Sequence, residues 1–291
     1  MTSPDSAPTP APAPVKAGRD LPAAILVGVG LLAAVVVTLI WWHPGFILLI
    51  VVLTCMGAVE VHHALKRIGM NSAIVPIVVG TIAIIGGTYA AAILQPIGGI
   101  PWHEVLLGCL AMTVLLALVW RMPGGADGYV KDAAASLFTI SYIPLLASFI
   151  GLLLASPHGA WKLVMLALCV VGSDTGGYAF GATLGRHPMA PNISPKKTWE
   201  GLAGSVVTAS AVGMAAGGLL LHLPWWFGLA MGVSCVIFGT AGDLIESLIK
   251  RDVGIKDMSS SLPGHGGVMD RLDSMLVAAP AGWLLFTLLP V

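Results

Sequence analysis

Apolar residues in this chain fall in long, nearly unbroken runs separated by short polar segments. An α-helix needs about 20 such residues to cross the hydrocarbon core of a bilayer. The runs predict spans near residues 21–42, 46–63, 74–94, 104–120, 133–155, 161–184, 199–222, 225–250 and 272–289. Every tryptophan except Trp283 falls at or near a predicted end, where an amphipathic ring prefers the membrane interface. The pattern therefore predicts an all-α, polytopic membrane protein of about nine transmembrane helices. Residues 1–20 break it. This Pro/Ala-rich stretch lacks apolar bulk and reads as a disordered tail, without the basic segment and cleavage pattern of a secretory signal. Residues 21–160 then hold about five spans, and residues 161–291 about four.

Composition agrees with the pattern. Apolar residues make up 57% of the chain and charged residues 10%, with a mean hydropathy of +0.92. A soluble domain of this size has too little polar surface to cover so much apolar material. The formal net charge is zero, so no general attraction to nucleic acid is expected. Cys55, Cys109, Cys169 and Cys235 all lie in apolar runs without a CxxC or Cys/His pattern, and read as buried thiols.

The basic residues orient the chain. With the N-terminus inside, only Lys162 of the 14 basic residues falls on the outer face. Such alternation is the positive-inside pattern. It predicts a cytoplasmic N-terminus, an outer C-terminus and a place in the cell membrane.

Acidic residues cluster late, in 172–201 and 242–274, with little comparable earlier apart from Glu60 beside His62 and His63. Asp243, Glu246, Ser247 and Lys250 are spaced to form one stripe of a helix. Carboxylates at the end of a membrane helix need a wet cavity or partners; Glu246–Lys250 also reads as an ordinary i, i+4 pair. A loop with Pro263, Gly264, Gly266 and Gly267 around His265 follows, and glycines there let backbone N–H groups approach an anion. Asp270 and Asp273 share a face at the start of the last helix. With Asp243 from the neighbouring helix they suit a hard cation such as Mg2+, which takes carboxylates plus substrate phosphates. Asp243 and Asp270 are the expected ligands, with Asp273 close by and Asp174 completing a second cation site. Asp174 precedes Gly176, Gly177 and Gly181, and Ser194-Pro195 reads as a helix cap followed by Pro at the first helical position. Lys196 and Lys197 follow. Carboxylates, basic residues and a glycine-rich loop on one membrane face are equipment for phosphate chemistry near lipid.

Residues 247–251 (Ser-Leu-Ile-Lys-Arg), Lys256-Asp257, Leu262-Pro263-Gly264-His265-Gly266-Gly267 and Asp270-Arg271-Leu272-Asp273 closely resemble the diagnostic motif of the phosphatidate cytidylyltransferases, also called CDP-diacylglycerol synthases. The run from Ser194 to Gly201 and the Asp174-Thr175-Gly176 element look like the bacterial members of that family. The resemblance is strong over residues 170–275 and elsewhere extends only to a set of apolar helices. Ser259-Ser260-Ser261 departs from it, where a small residue and then an apolar one is expected. The resemblance implies a reaction in which CTP and phosphatidate give CDP-diacylglycerol and pyrophosphate with Mg2+, at a cytoplasm-facing site in contact with membrane lipid; a homodimer is an open assembly. The catalytic set is then Asp243, Asp270, Lys250, Arg251 and Arg271, with Lys196, Lys197, Ser247, Lys256, His265, Gly266 and Gly267 at the substrates. No GxSxG, HExxH or Walker-type pattern competes. The rivals are a nucleotide-dependent lipid kinase and a secondary transporter, whose sites lie near the bilayer midplane between repeats.

Overall fold

The computed structural model describes residues 21–95, 98–262, 264 and 266–289. The tail 1–20, Pro263 and His265 lie outside the described residues. The helices are α1 (Leu21–Trp41), α2 (His43–Lys66), α3 (Ile74–Leu94), α4 (Trp102–Arg121), α5 (Tyr129–Ala155), α6 (Gly159–Leu184), α7 (Trp199–Leu221), α8 (Trp225–Val253) and α9 (Met269–Leu288). Seven of them, α2 to α8, are long and apolar enough to cross a membrane. Large apolar side chains such as Leu26, Leu107 and Leu219 stay exposed on the outer faces. That is costly in water and normal in lipid. The chain is thus a multi-pass membrane protein built from helices.

Several helices begin earlier than hydropathy predicts: α2 at His43, α4 at Trp102, α5 at Tyr129 and α9 at Met269. Their first turns are polar or aromatic and fall outside the apolar runs. Both α3 and α5 carry a π-turn, Ala83–Gly87 and Ser141–Leu145. The second surrounds Pro144, which cannot donate to the helical ladder, and the widened turn accommodates it.

One prediction is corrected. Ser194-Pro195 does not open a helix. Ser194–Thr198 (β2) pairs antiparallel with Pro188–Ala190 (β1), so a two-stranded ribbon interrupts an otherwise helical chain. Both strands of such a ribbon are edges, where proline is tolerated. The cap lies four residues further on. Thr198 is extended, and its hydroxyl accepts a 3.1 Å hydrogen bond from the Gly201 N–H, starting α7 at Trp199.

The ribbon and the motif loops lie at one end of the bundle, where α6 and α8 finish and α7 and α9 begin. Other polar ties gather there too. Asp132 on α5 takes Arg121 at 2.5 Å and the Asn71 N–H at 2.6 Å, and Lys131 donates to the Ile68 carbonyl at 2.7 Å.

Glycines bring α6, α7 and α8 into close contact. A Cβ at Gly176 would stand 2.7 Å from the Gly204 carbonyl oxygen, and one at Gly228 would stand 2.7 Å from the Gly213 carbonyl carbon. Small residues at such crossings let helices approach without a hydrophobic driving force, which lipid does not supply. Gly176→Ala and Gly228→Ala gain about 0.5–1 kcal/mol of helix preference but lose about 1–3 kcal/mol to overpacking against backbone. Both variants are expected to lower the thermal midpoint in detergent, read by scanning fluorimetry. Gly218→Ala, where a Cβ meets nothing within 4 Å, should leave it unchanged or higher.

Candidate functional site

A cavity of about 300 Å³ opens beneath the ribbon. It is walled by Ser173, Asp174 and Tyr178 of α6, Ser205 of α7, Thr240 and Asp243 of α8, and Lys196, Lys197 and Thr198 of β2. Asp174 and Asp243 each sit ten residues before the end of their helices, about 15 Å along the axis at 1.5 Å per residue. The cavity therefore carries polar groups well into the bundle. A second cavity of about 450 Å³, lined by His43, Tyr89, His158 and Trp161 among others, has no acidic side chain and no Lys or Arg in its wall. Of the two, only the first has the charged lining that phosphate chemistry would need.

Glycines form part of the cavity wall and let α6 and α7 close on each other there. Gly177 of α6 faces Gly201 of α7, and a Cβ at Gly201 would lie 2.9 Å from the Gly177 carbonyl oxygen. The Ser205 hydroxyl donates to the Ser173 carbonyl at 2.7 Å and fixes the two helices at this level. On the other side, Gly242 packs against the Asp273 backbone, whose carbonyl carbon would stand 3.0 Å from an added Cβ. That approach sets the acidic first turns of α9 beside Asp243. Asp273 is within electrostatic range of both Asp243 and Asp174.

The predicted polar stripe of α8 is realised. Lys197 Nζ reaches Asp243 Oδ2 at 2.5 Å, and the Ser247 hydroxyl donates to Asp243 Oδ1 at 3.3 Å. Further along, Lys250 Nζ bridges Glu246 Oε2 at 2.6 Å and Asp270 Oδ1 at 2.8 Å. Glu246–Lys250 is thus part of a link between α8 and α9 rather than an ordinary surface pair; Glu246 is only 1% exposed. Asp270 Oδ2 accepts from the Met258 N–H at 3.0 Å and the Gly267 N–H at 2.8 Å.

The other expected site residues are more dispersed. Arg251 Nε donates to the Ile193 carbonyl at 3.2 Å and ties the ribbon's turn to α8. Arg271 and Lys256 stand exposed, and neither is in the cavity lining. Gly266, in the left-handed region at φ 83°, bridges back to Leu262, and Gly267 is buried beside Asp270. His265 is outside the described residues. Asp270 is not in the cavity lining, so the structure does not place it across one site from Asp243.

The donor set fits Mg2+ in one particular way. Carboxylates are its preferred ligands, and it commonly uses one or two of them with substrate phosphates. Asp243 and Asp270 each have one oxygen covered by a lysine ammonium. Among the described residues, no group of three or more His, Cys, Asp or Glu side chains is gathered closely enough to cage an ion alone. Such a site needs the substrate's own oxygens.

Sequence reasoning missed Glu60 as a site contributor. Its carboxylate, on α2, accepts from Ser259, Val268 and Met269. The available signal was a lone acidic residue late in an apolar run. Ser173, Thr240, Tyr178 and Ser205 also line the cavity, and nothing in their spacing separates them from ordinary helix positions.

Comparisons with known proteins identify the family. The profile of the cytidylyltransferase family matches residues 22–289. A protein of Mycobacterium bovis named phosphatidate cytidylyltransferase is 37% identical over 288 residues, covering 94% of this chain and 91% of its own. Proteins of the same name from Mycobacterium tuberculosis and Mycobacterium leprae are 37% and 36% identical, again over 94% of this chain and over 85% and 90% of theirs. With the match spanning nearly the whole chain, this protein belongs to the cytidylyltransferase family.

Proposed function

We infer that this protein is a phosphatidate cytidylyltransferase: it transfers the cytidylyl group of CTP to phosphatidate, releasing pyrophosphate and leaving CDP-diacylglycerol for phospholipid synthesis. The observation that carries the reading is one cavity holding both lysines and carboxylates, Lys196 and Lys197 against Asp174 and Asp243, at the membrane-interface end of the bundle.

The chemistry asks little of the protein beyond placement and charge control. A phosphatidate oxygen forms a bond to the α-phosphorus of CTP. The bond from that phosphorus to the bridging oxygen breaks, and pyrophosphate leaves with the electron pair. The attacking oxygen is already anionic, so no base or covalent nucleophile is required. The need is in-line placement and neutralised repulsion. Phosphates that draw Lys197 and Lys250 away leave Asp243 and Asp270 available to Mg2+, with Asp174 and Asp273 close to the first. When bound, that ion would offset phosphate charge. Arg251 and Arg271, both exposed, suit phosphate oxygens, with Lys256, Ser247 and the Gly266–Gly267 backbone as further substrate contacts in this reading.

The orientation extends the same reading. Besides the seven long apolar helices, α1 and α9 complete nine passes, which puts the termini on opposite faces. The ends carrying Lys66, Arg121, Lys131, Lys196, Lys197, Lys250 and Arg271 all lie on the cavity side, and Lys162 on the other. By the positive-inside pattern the cavity faces the cytoplasm of a cell-membrane protein. CTP then enters from the cytosol while phosphatidate presents its headgroup from the inner leaflet. A homodimer is compatible with this arrangement.

The decisive assay is purified protein with labelled CTP, phosphatidate and Mg2+. CDP-lipid and pyrophosphate are expected; a phosphorylated lipid with a nucleoside diphosphate would replace this reading with a lipid kinase. Asp243→Asn and Asp270→Asn should each nearly abolish turnover while the protein still folds, and normal rates at ordinary Mg2+ in both would reject their role. Lys197→Ala and Lys250→Ala each remove a charge-assisted contact of about 1.5–3 kcal/mol, so CTP turnover should fall roughly 10- to 150-fold. For sidedness, a background without the four native cysteines should carry Ser260→Cys or His222→Cys. An impermeant thiol reagent is expected to label the first only in inside-out vesicles and the second only in right-side-out ones.

A further inference from the structure

Glu60 lies on α2, far in sequence from the motif regions, yet it is 4% exposed and its carboxylate is fully engaged with the motif loop. Oε1 accepts the Ser259 hydroxyl at 2.5 Å and the Val268 N–H at 3.0 Å, and Oε2 accepts the Met269 N–H at 2.9 Å. Val268 is the residue before α9, and α9 has no side-chain cap of its own. The first N–H groups of a helix have no partner within it, and a carboxylate there satisfies them and suits the helix dipole. Glu60 supplies that cap from another helix. No ion pair to Glu60 is found among the described residues, so its buried charge is compensated by these donors.

The contact is placed where it matters for geometry. The Gly267 backbone is wedged between two carboxylates: a Cβ there would lie 2.8 Å from Glu60 Oε2 and 2.9 Å from Asp270 Oδ2. Only glycine leaves room for both. Asp270 holds the loop from the α9 side, through the Met258 and Gly267 N–H groups, and Glu60 holds it from the α2 side. Between them they hold Met258, Ser259 and Gly267–Met269 and set the direction in which α9 departs. That turn aims Asp270 at Lys250 and carries Arg271 and Asp273.

We propose that Glu60 is a positioning residue for cytidylyl transfer: it touches no reacting atom, but from the N-terminal half it sets the loop and helix start that present Asp270, Arg271 and Asp273. The proposal rests on the cytidylyltransferase reading above. It makes α2 a working part of the site rather than a membrane anchor.

The test combines steady-state kinetics with hydrogen exchange on Glu60→Gln and Glu60→Ala in the full-length protein. Glutamine keeps the size and one accepting oxygen, but turns an NH2 group toward donors. Misplacement of about 1 Å can cost about 100-fold in rate. The expected result is a kcat lowered by about that factor in Glu60→Ala and less in Glu60→Gln, with KM for CTP within about threefold. Amide protection at Val268 and Met269 should fall in both variants while that of 199–221 stays. A kcat within twofold of the parent overturns the proposal, as does a rise in KM alone or unchanged protection at Val268 and Met269. If both variants fail to fold, Glu60 serves assembly only and the proposal is likewise overturned. A parent protein that makes no CDP-lipid would instead reject the functional reading, whatever the exchange data show.

Discussion

Lys250, held between Glu246 and Asp270, is the contact on which the catalytic end of the molecule depends. One Glu246 oxygen has no hydrogen-bond partner among the described residues. The ammonium is therefore the main compensation for a carboxylate that is almost wholly buried. Removing one member of a buried charge group commonly costs about 3–5 kcal/mol, because the rest is left uncompensated. The same ammonium joins α8 to α9, so the electrostatic requirement is also a geometric one. Where Lys250 sits decides where Asp270 sits. Through Met258 and Gly267, Asp270 decides the path of the loop. Glu60 meets that loop from the opposite side. Glu60 is one of the contacts that couple the N-terminal helices, which carry no motif, to the site; another is the Tyr142 hydroxyl of α5, which donates to the Gly242 carbonyl beside Asp243 at 3.5 Å.

The glycine crossings solve a second problem. Lipid supplies no hydrophobic drive to press helices together, so contact must come from close packing. Gly176 against Gly204 and Gly228 against Gly213 provide it. Gly177 and Gly201 make the same kind of close approach at the cavity wall. Acidic groups so far along a membrane helix are tolerable only where water or a countercharge reaches them. Asp243 has Lys197, and Asp174 stands exposed at the cavity wall.

Much of this was legible in the sequence, because long apolar runs and scarce charge are strong signals. The runs located every helix to within a few residues, and erred where a first turn was polar, as at Tyr129–Asp132. The α8 stripe was readable because 3.6-residue periodicity places Asp243, Glu246, Ser247 and Lys250 together. The ribbon was not. Ser-Pro fits a helix start equally well, and only pairing with Pro188–Ala190, a tertiary fact, decides between them. The grouping of the carboxylates was half visible: Asp174 and Asp243 do share a cavity, while Asp270 was expected to face Asp243 and is instead turned to Lys250 and two backbone donors. Glu60 could not be assigned from sequence, since its partners lie some two hundred residues away and two of them are backbone N–H groups that no side-chain pattern reports.

Lysine, rather than arginine, covers both Asp243 and Asp270, and the difference has a physical consequence. An ammonium on a flexible stem makes a point contact, whereas a guanidinium grips a carboxylate with two parallel hydrogen bonds and holds it in one plane. A point contact exchanges partners at lower cost. Before substrate arrives, Lys197 and Lys250 keep the acidic groups neutralised in a partly water-poor space, so the cleft carries little net charge of its own. On the proposed reading, a triphosphate would compete for the same ammonium groups with several oxygens, and each lysine it attracted would uncover a carboxylate that prefers a cation. Binding of the anion and of a metal would then assist one another, and neither charge need be buried alone. The arginines stand elsewhere. Arg251 ties the ribbon to α8, where a firm grip and a permanent charge suit the structure, and Arg271 stands exposed at the start of α9.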